Sequence, residues 1–330
     1  MINNRHNFFL SLVSLLLCIS CAYNKPTPDL QSTRRLFYPV NHLTADYDDF
    51  RPSFLIERAD KDYNLIGSPA ARTNDKGEVE IFIDPTRATM FHQRQDFATT
   101  KGRYHNMIYR IHFMQVPFRP DDFHFTYGNN VGLLVIVTMN EQNIPLLVTT
   151  VHTCGCYLAF FPFDNLPADT FPDNWPPEQQ CVYGINLPSI IRTPDGESKN
   201  DTLLLTIKGG SHRVSNVQFI DGEQLLGSYP ASPMNPAPME QLSRLELNGE
   251  KVSFFESEGS RKGYVKNSSK PLERLLMSWW TMDWNIGVDK AYGDRRETGT
   301  VFYTSIKFWR RNDSDMWNFA DFLNYWGWKF

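Results

Sequence analysis

The sequence predicts a mainly β, α+β domain: a sandwich-like β core with two C-terminal helices packed on it. Three observations carry this. Residues 133–139 (LLVIVTM) and 146–151 (LLVTTV) are continuous apolar, β-branched runs on either side of a polar link, NEQNIP. Such runs, bounded by turn residues, are strands buried on both faces. Beyond residue 270 the apolar period lengthens: Leu272, Leu275, Leu276 and Trp279 fall at i, i+3, i+4, i+7, and so do Met316, Phe319, Ala320 and Leu323. That spacing puts each set on one stripe of a helix.

The elements follow in chain order. Residues 35–90 are mixed, and their clearest strand is 79–83 (VEIFI), which alternates and stops at Asp84-Pro85. Residues 107–118 form the next strand, ended by Pro117 and Pro120. The two apolar runs pair as a hairpin with a loop longer than the tight two-residue kind. Residues 157–163 (YLAFFPF) extend its second strand. Residues 164–201 are polar and proline-rich, a loop-rich cover. Strands resume at 203–207, 214–220, 245–247 and 252–255, with the proline-rich connector YPASPMNPAP at 229–238. Pro271 opens a helix that ends near residues 285–287. A strand at 301–309 and a last helix, with Asp313 and Ser314 as caps, complete the chain. Two helices and one strand are too few for a core of their own, so residues 35–330 read as one domain.

Composition narrows the function classes. The 330 residues are 41% hydrophobic and 21% charged, as in globular proteins, with a net charge of −4. Basic residues occur as scattered pairs, which argues against nucleic acid as a partner. No run after the N-terminus approaches the length of a membrane span.

The first 21 residues are distinctive. Arg5 precedes an apolar run over residues 8–17, broken only by Ser11 and Ser14. Its length is that of a signal-peptide core and too short for a ~30 Å hydrocarbon layer. Cys18-Ile19-Ser20-Cys21 follows. A small residue directly before a cysteine at this place resembles the lipobox of bacterial lipoproteins, although Cys18 stands where leucine is usual. The resemblance implies that Cys21 is acylated by palmitate-type chains and becomes the new N-terminus. It also implies that Ala22 directs the protein to the outer membrane, facing the periplasm or the surface. Residues 22–34, polar with two prolines, then serve as a tether. Trp326, Trp328 and Phe330 resemble the C-terminal signature of outer-membrane β-barrels. A barrel, however, needs many alternating ten-residue strands, and this chain has buried-type runs and 21 prolines. The aromatics read as docking the tail on the core.

Three chemistries compete for the domain. His152, Cys154 and Cys156 share one parity, so a regular strand points them to one face. Thiolate and imidazole suit zinc or copper. A straight strand separates i and i+4 by roughly 13 Å, so one metal needs a bend, easiest at Gly155, and a further ligand such as Cys181. The same cysteines also suit a disulfide, in which Cys154 or Cys156 joined to Cys181 would staple the proline-rich cover to the sheet, or thiol chemistry with His152 as the cationic neighbour. His105-Asn106-Met107 and His112-Phe113-Met114 suggest copper handling, but their opposite parity favours half-buried strand residues. Finally, Trp279, Trp280 and Trp284 beside Asp283 and Asp289 suit a glycan partner, with sugar rings stacked on indoles and paired carboxylates. No nucleophile elbow or phosphate-binding glycine loop is present. The leading expectation is a membrane-anchored envelope protein with a binding or scaffold role. A metalloprotein and a carbohydrate-binding or carbohydrate-active domain are the alternatives.

Overall fold

The computed structural model describes residues 34–39, 50–120, 125–193 and 201–330. The strands are β1 (Leu36–Tyr38), β2 (Pro52–Ile56), β3 (Ser68–Thr73), β4 (Val79–Asp84), β5 (Thr89–Thr99), β6 (Gly102–Val116), β7 (Gly128–Asn140), β8 (Pro145–His152), β9 (Ala159–Pro162), β10 (Gln179–Val182), β11 (Ile185–Pro188), β12 (Asp201–Ile207), β13 (Val214–Asp221), β14 (Asn235–Pro238), β15 (Leu245–Leu247) and β16 (Glu250–Val252). The helices are α1 (Gly222–Ser228), α2 (Pro271–Thr281), α3 (Arg295–Thr298) and α4 (Phe319–Tyr325).

A six-stranded sheet in the order β14-β5-β6-β7-β8-β9 forms the middle layer. From β5 to β9 it is an antiparallel meander, with β14 added parallel to β5. Alternation along its strands builds two cores. Tyr109, Ile111, Leu133, Val135 and Val148 face the four-stranded sheet β1-β2-β12-β13, where they meet Phe54, Ile56, Leu203 and Leu205. Ile108, Leu134, Ile136, Leu147 and Val151 face the other way, under Phe302, Met316, Phe319, Phe322 and Trp328. Burial on both faces explains why β7 and β8 read as unbroken apolar runs. The mainly β α+β architecture, with its sandwich-like pair of sheets, is as the sequence predicts.

Several elements differ. Residues 157–163 do not lengthen β8. The chain turns at residues 153–156, and β9 pairs back antiparallel on β8. Residues 301–309 form no strand. They carry one isolated bridge, Tyr303 to Asp315, and a short 3-10 turn at Phe308–Arg310. Helix α2 stops at Thr281, where Met282 turns left-handed at φ 54°. The last helix starts at Phe319, beyond Asp313 and Ser314. Trp328 and Phe330 are buried in the second core, as docking residues should be, while Trp326 is partly open. Cys21 and most of the 22–34 tether lie outside the described residues, as does His124. Among the described residues, no helix is long and apolar enough to cross a membrane.

Candidate functional site

At the end of β8 the chain turns through Thr153, Cys154 and Gly155, and the segment carrying Asp289 and Lys290 lies against this turn. The Lys290 amide donates to the Thr153 carbonyl at 2.9 Å. Gly155 has φ 96°, and a Cβ there would run into the Tyr303 carbonyl, so the turn needs glycine.

A buried ion network is assembled on this turn. Asp289 accepts from the Thr153 hydroxyl, from Ser268 Oγ at 3.1 Å and from the Gly132 amide at 3.3 Å. Lys270 Nζ lies 3.7 Å from it, and both side chains are wholly inaccessible. Lys290 points the other way, donating to the Cys154 carbonyl at 2.6 Å and sitting 4.5 Å over the Tyr303 ring. Burial holds its ammonium down to about 8, although Asp283 and Asp289 pull it up. The Lys290 carbonyl accepts from Arg110 Nη1 at 2.9 Å, and Arg110 Nε donates to His112 Nε2 at 3.1 Å. Burial, with Arg110 adding to it, keeps His112 well below its ordinary value and therefore neutral. Glu273 closes the network from above. Burial raises its carboxyl, Lys270 lowers it, and its Oε2 has no hydrogen-bond partner among the described residues. Gly287, at φ 77°, leaves the space that Glu273 fills.

Helix α2 carries Glu273 and lies over this network. Its buried residues are Glu273, Ser278 and Thr281. Most of its apolar stripe faces solvent: Leu275 is 72% exposed, Leu276 47% and Trp279 62%, with Trp280 at 64% beside them, while Leu272 is half-buried. The stripe expected to pack on the core is thus turned outward, because what lies beneath the helix is charge rather than hydrocarbon. Trp284, 70% exposed, continues the face past the helix end. Arg311 joins it to the next segment, donating to the Thr281 carbonyl and lying 3.8 Å from Asp283. That segment exposes Ile306, Phe308 and Trp309. Apolar surface of this extent is uncommon on a protein that works alone in water.

The candidate ligands fall elsewhere. Cys154 and Cys156 form a disulfide with each other, which takes both sulfurs from a metal. The expected staple to Cys181 is not made: Cys181 is free and exposed on β10. His152 is buried, its Nε2 3.0 Å from the His212 carbonyl, and burial pulls it well below its ordinary value. Among the described residues no group of three or more His, Cys, Asp or Glu is placed to hold a metal. His105 and His112 are fully buried rather than half-buried. Of the proposed glycan contacts, Trp279, Trp280 and Trp284 are at the surface, but Asp289 is inside the network. Asp283 is engaged by the Tyr303 hydroxyl and Arg311. The carboxylate pair is therefore not presented beside the indoles. The network itself was not legible in the sequence: nothing in the local pattern singles out Lys270, Glu273 or Lys290, and Asp289 reads as a glycan contact rather than as a buried acceptor. One signal was there: Ser278 and Thr281, three residues apart, are small enough to let a helix sit close on their side.

Comparison with protein-family models, with curated proteins and with solved structures finds no match to this chain.

Proposed function

We propose that this chain is a lipid-anchored protein of the bacterial cell envelope, held through Cys21, whose domain binds a partner by its outward aromatic face. The observation that carries the reading is the inverted helix α2. Fully burying one large apolar side chain is worth about 1.5–3 kcal/mol, and α2 leaves Leu275, Trp279 and Trp280 in water. Contact with a partner would recover that energy. The signal segment and the polar tether support the placement at a membrane, and the scaffold beneath the face supports binding rather than catalysis. The ions under α2 are enclosed, and Asp289 among them is held by Thr153, Ser268 and Lys270, which suits a rigid support.

Two measurements test this. The mass of the N-terminal peptide should show an acylated Cys21, and a free N-terminus elsewhere contradicts the anchor. A photo-crosslinking residue in place of Leu275 in intact cells should give discrete adducts, protein or lipid, that a crosslinker at exposed Glu258 does not. Equal, diffuse labelling from both positions contradicts the binding role.

A further inference from the structure

We infer that the occupant of the aromatic face is the lipid bilayer surface, so that the domain lies on the membrane to which its N-terminus is tied. This rests on the anchored reading above and names the partner of the same face.

Four observations favour a bilayer over a groove or a sugar. The face is rich in indole (Trp279, Trp280, Trp284 and Trp309), the side chain that settles at the boundary between head groups and acyl chains. Helix α2, about 16 Å long at 1.5 Å per residue, has the stripe of a helix lying in the interface plane. Its polar side rests on protein instead of water.

Charge agrees. The whole chain carries −4, yet the face is bordered by basic groups. Arg274 is exposed on α2, and Lys307, Arg310 and Arg311 flank Phe308 and Trp309. Arg310 pairs with Asp313 at 3.1 Å and Arg311 with Asp283, which leaves the border net positive. Anionic head groups complement it.

Shape agrees as well. The face is the outside of a helix and a neighbouring turn, and the Trp279 and Trp280 rings stand at 83° to each other. Perpendicular rings make no flat platform for a sugar, whereas fluid lipid conforms to them.

The tether supplies proximity. Thirteen residue steps separate Cys21 from Arg34, a reach of at most about 45 Å when extended. A lipid on Cys21 would therefore keep the domain beside the bilayer, where even a weak contact of the face is populated through its effective concentration.

The test uses the mature full chain, with its N-terminal mass recorded, in vesicles of phosphatidylethanolamine and phosphatidylglycerol carrying brominated acyl chains. Bromine quenches indoles at membrane depth. The expected result is a blue-shifted emission and strong quenching, weaker in vesicles of phosphatidylcholine alone. A Leu275→Glu, Leu276→Glu variant keeps every tryptophan as a reporter and should lose both effects with an unchanged circular dichroism spectrum. Arg274→Glu with Lys307→Glu should lose quenching on the anionic vesicles. Equal quenching in the parent and the Leu275→Glu, Leu276→Glu variant overturns the inference. So does a vesicle-free dimer whose tryptophans are shielded from a soluble quencher. An acylated Cys21 with no quenching overturns the bilayer assignment and leaves the anchor standing. An unacylated Cys21 with quenching on added vesicles does the reverse.

Discussion

Helices α2 and α4 belong to the same C-terminal region, carry the same apolar spacing and face opposite ways. Helix α4 buries Phe319, Phe322 and Leu323 in the second core, against Phe97, Phe160 and neighbouring rings. Helix α2 buries Glu273, Ser278 and Thr281 and exposes Leu275, Leu276, Trp279 and Trp280. The spacing decides that a stripe exists. What lies under the helix decides where the stripe points: hydrocarbon under α4, enclosed charge under α2. Packing among the described residues does not account for an outward stripe, which makes it the more informative of the two.

The largest effects should come from the ground beneath each helix. Asp289→Ala removes the acceptor of Thr153 and Ser268 and leaves Lys270 buried without its counter-charge. A loss of about 3–5 kcal/mol is expected, read by urea unfolding. A loss below 1 kcal/mol would mean the network does not support α2. On the other helix, Phe322→Ala opens a cavity in a fully buried site and should cost about 3–5 kcal/mol by the same measurement.

The fold was legible because β7 and β8 are buried on both faces, and that leaves a composition mark no other arrangement leaves so plainly. The sequence also located the tryptophan group, and it marked Gly155 as the place where a bend would be easiest. Three things were not legible, each for a physical reason. The orientation of α2 depends on Lys270, Asp289 and Lys290 being enclosed against the turn after β8, a neighbour more than a hundred residues away in the chain. The pairing of Cys154 with Cys156 needs the turn at Gly155, which parity on a straight strand hides. Residues 301–309 look like a strand by composition, but among the described residues they pair only through the bridge from Tyr303 to Asp315.

A smaller effect is read by pH. His112 and His152 are buried and held well below their ordinary value, by burial first and by neighbouring cations second. The unfolded chain takes up protons at these groups below about pH 6.5 and the folded chain does not. Stability from them is therefore full above that pH and falls on acidification, by up to about 1.4 kcal/mol per unit for each histidine. Glu273, raised by burial, works in the opposite sense, its contribution present at low pH and lost as pH rises. Thermal unfolding should weaken from pH 7.5 to 5.5, and His112→Gln, which keeps an acceptor for Arg110, should flatten the slope. A slope unchanged by that substitution would place the pH response elsewhere.

The smallest expected change is the most telling. Urea unfolding of a Leu275→Ser, Trp279→Ser variant tests directly whether the α2 stripe faces out. With the stripe outward, stability stays within about 0.5 kcal/mol of the parent, as for surface substitutions. A loss of about 3 kcal/mol or more, the size seen for core truncations, would mean that α2 packs its stripe inward as α4 does. The aromatic face would then not exist.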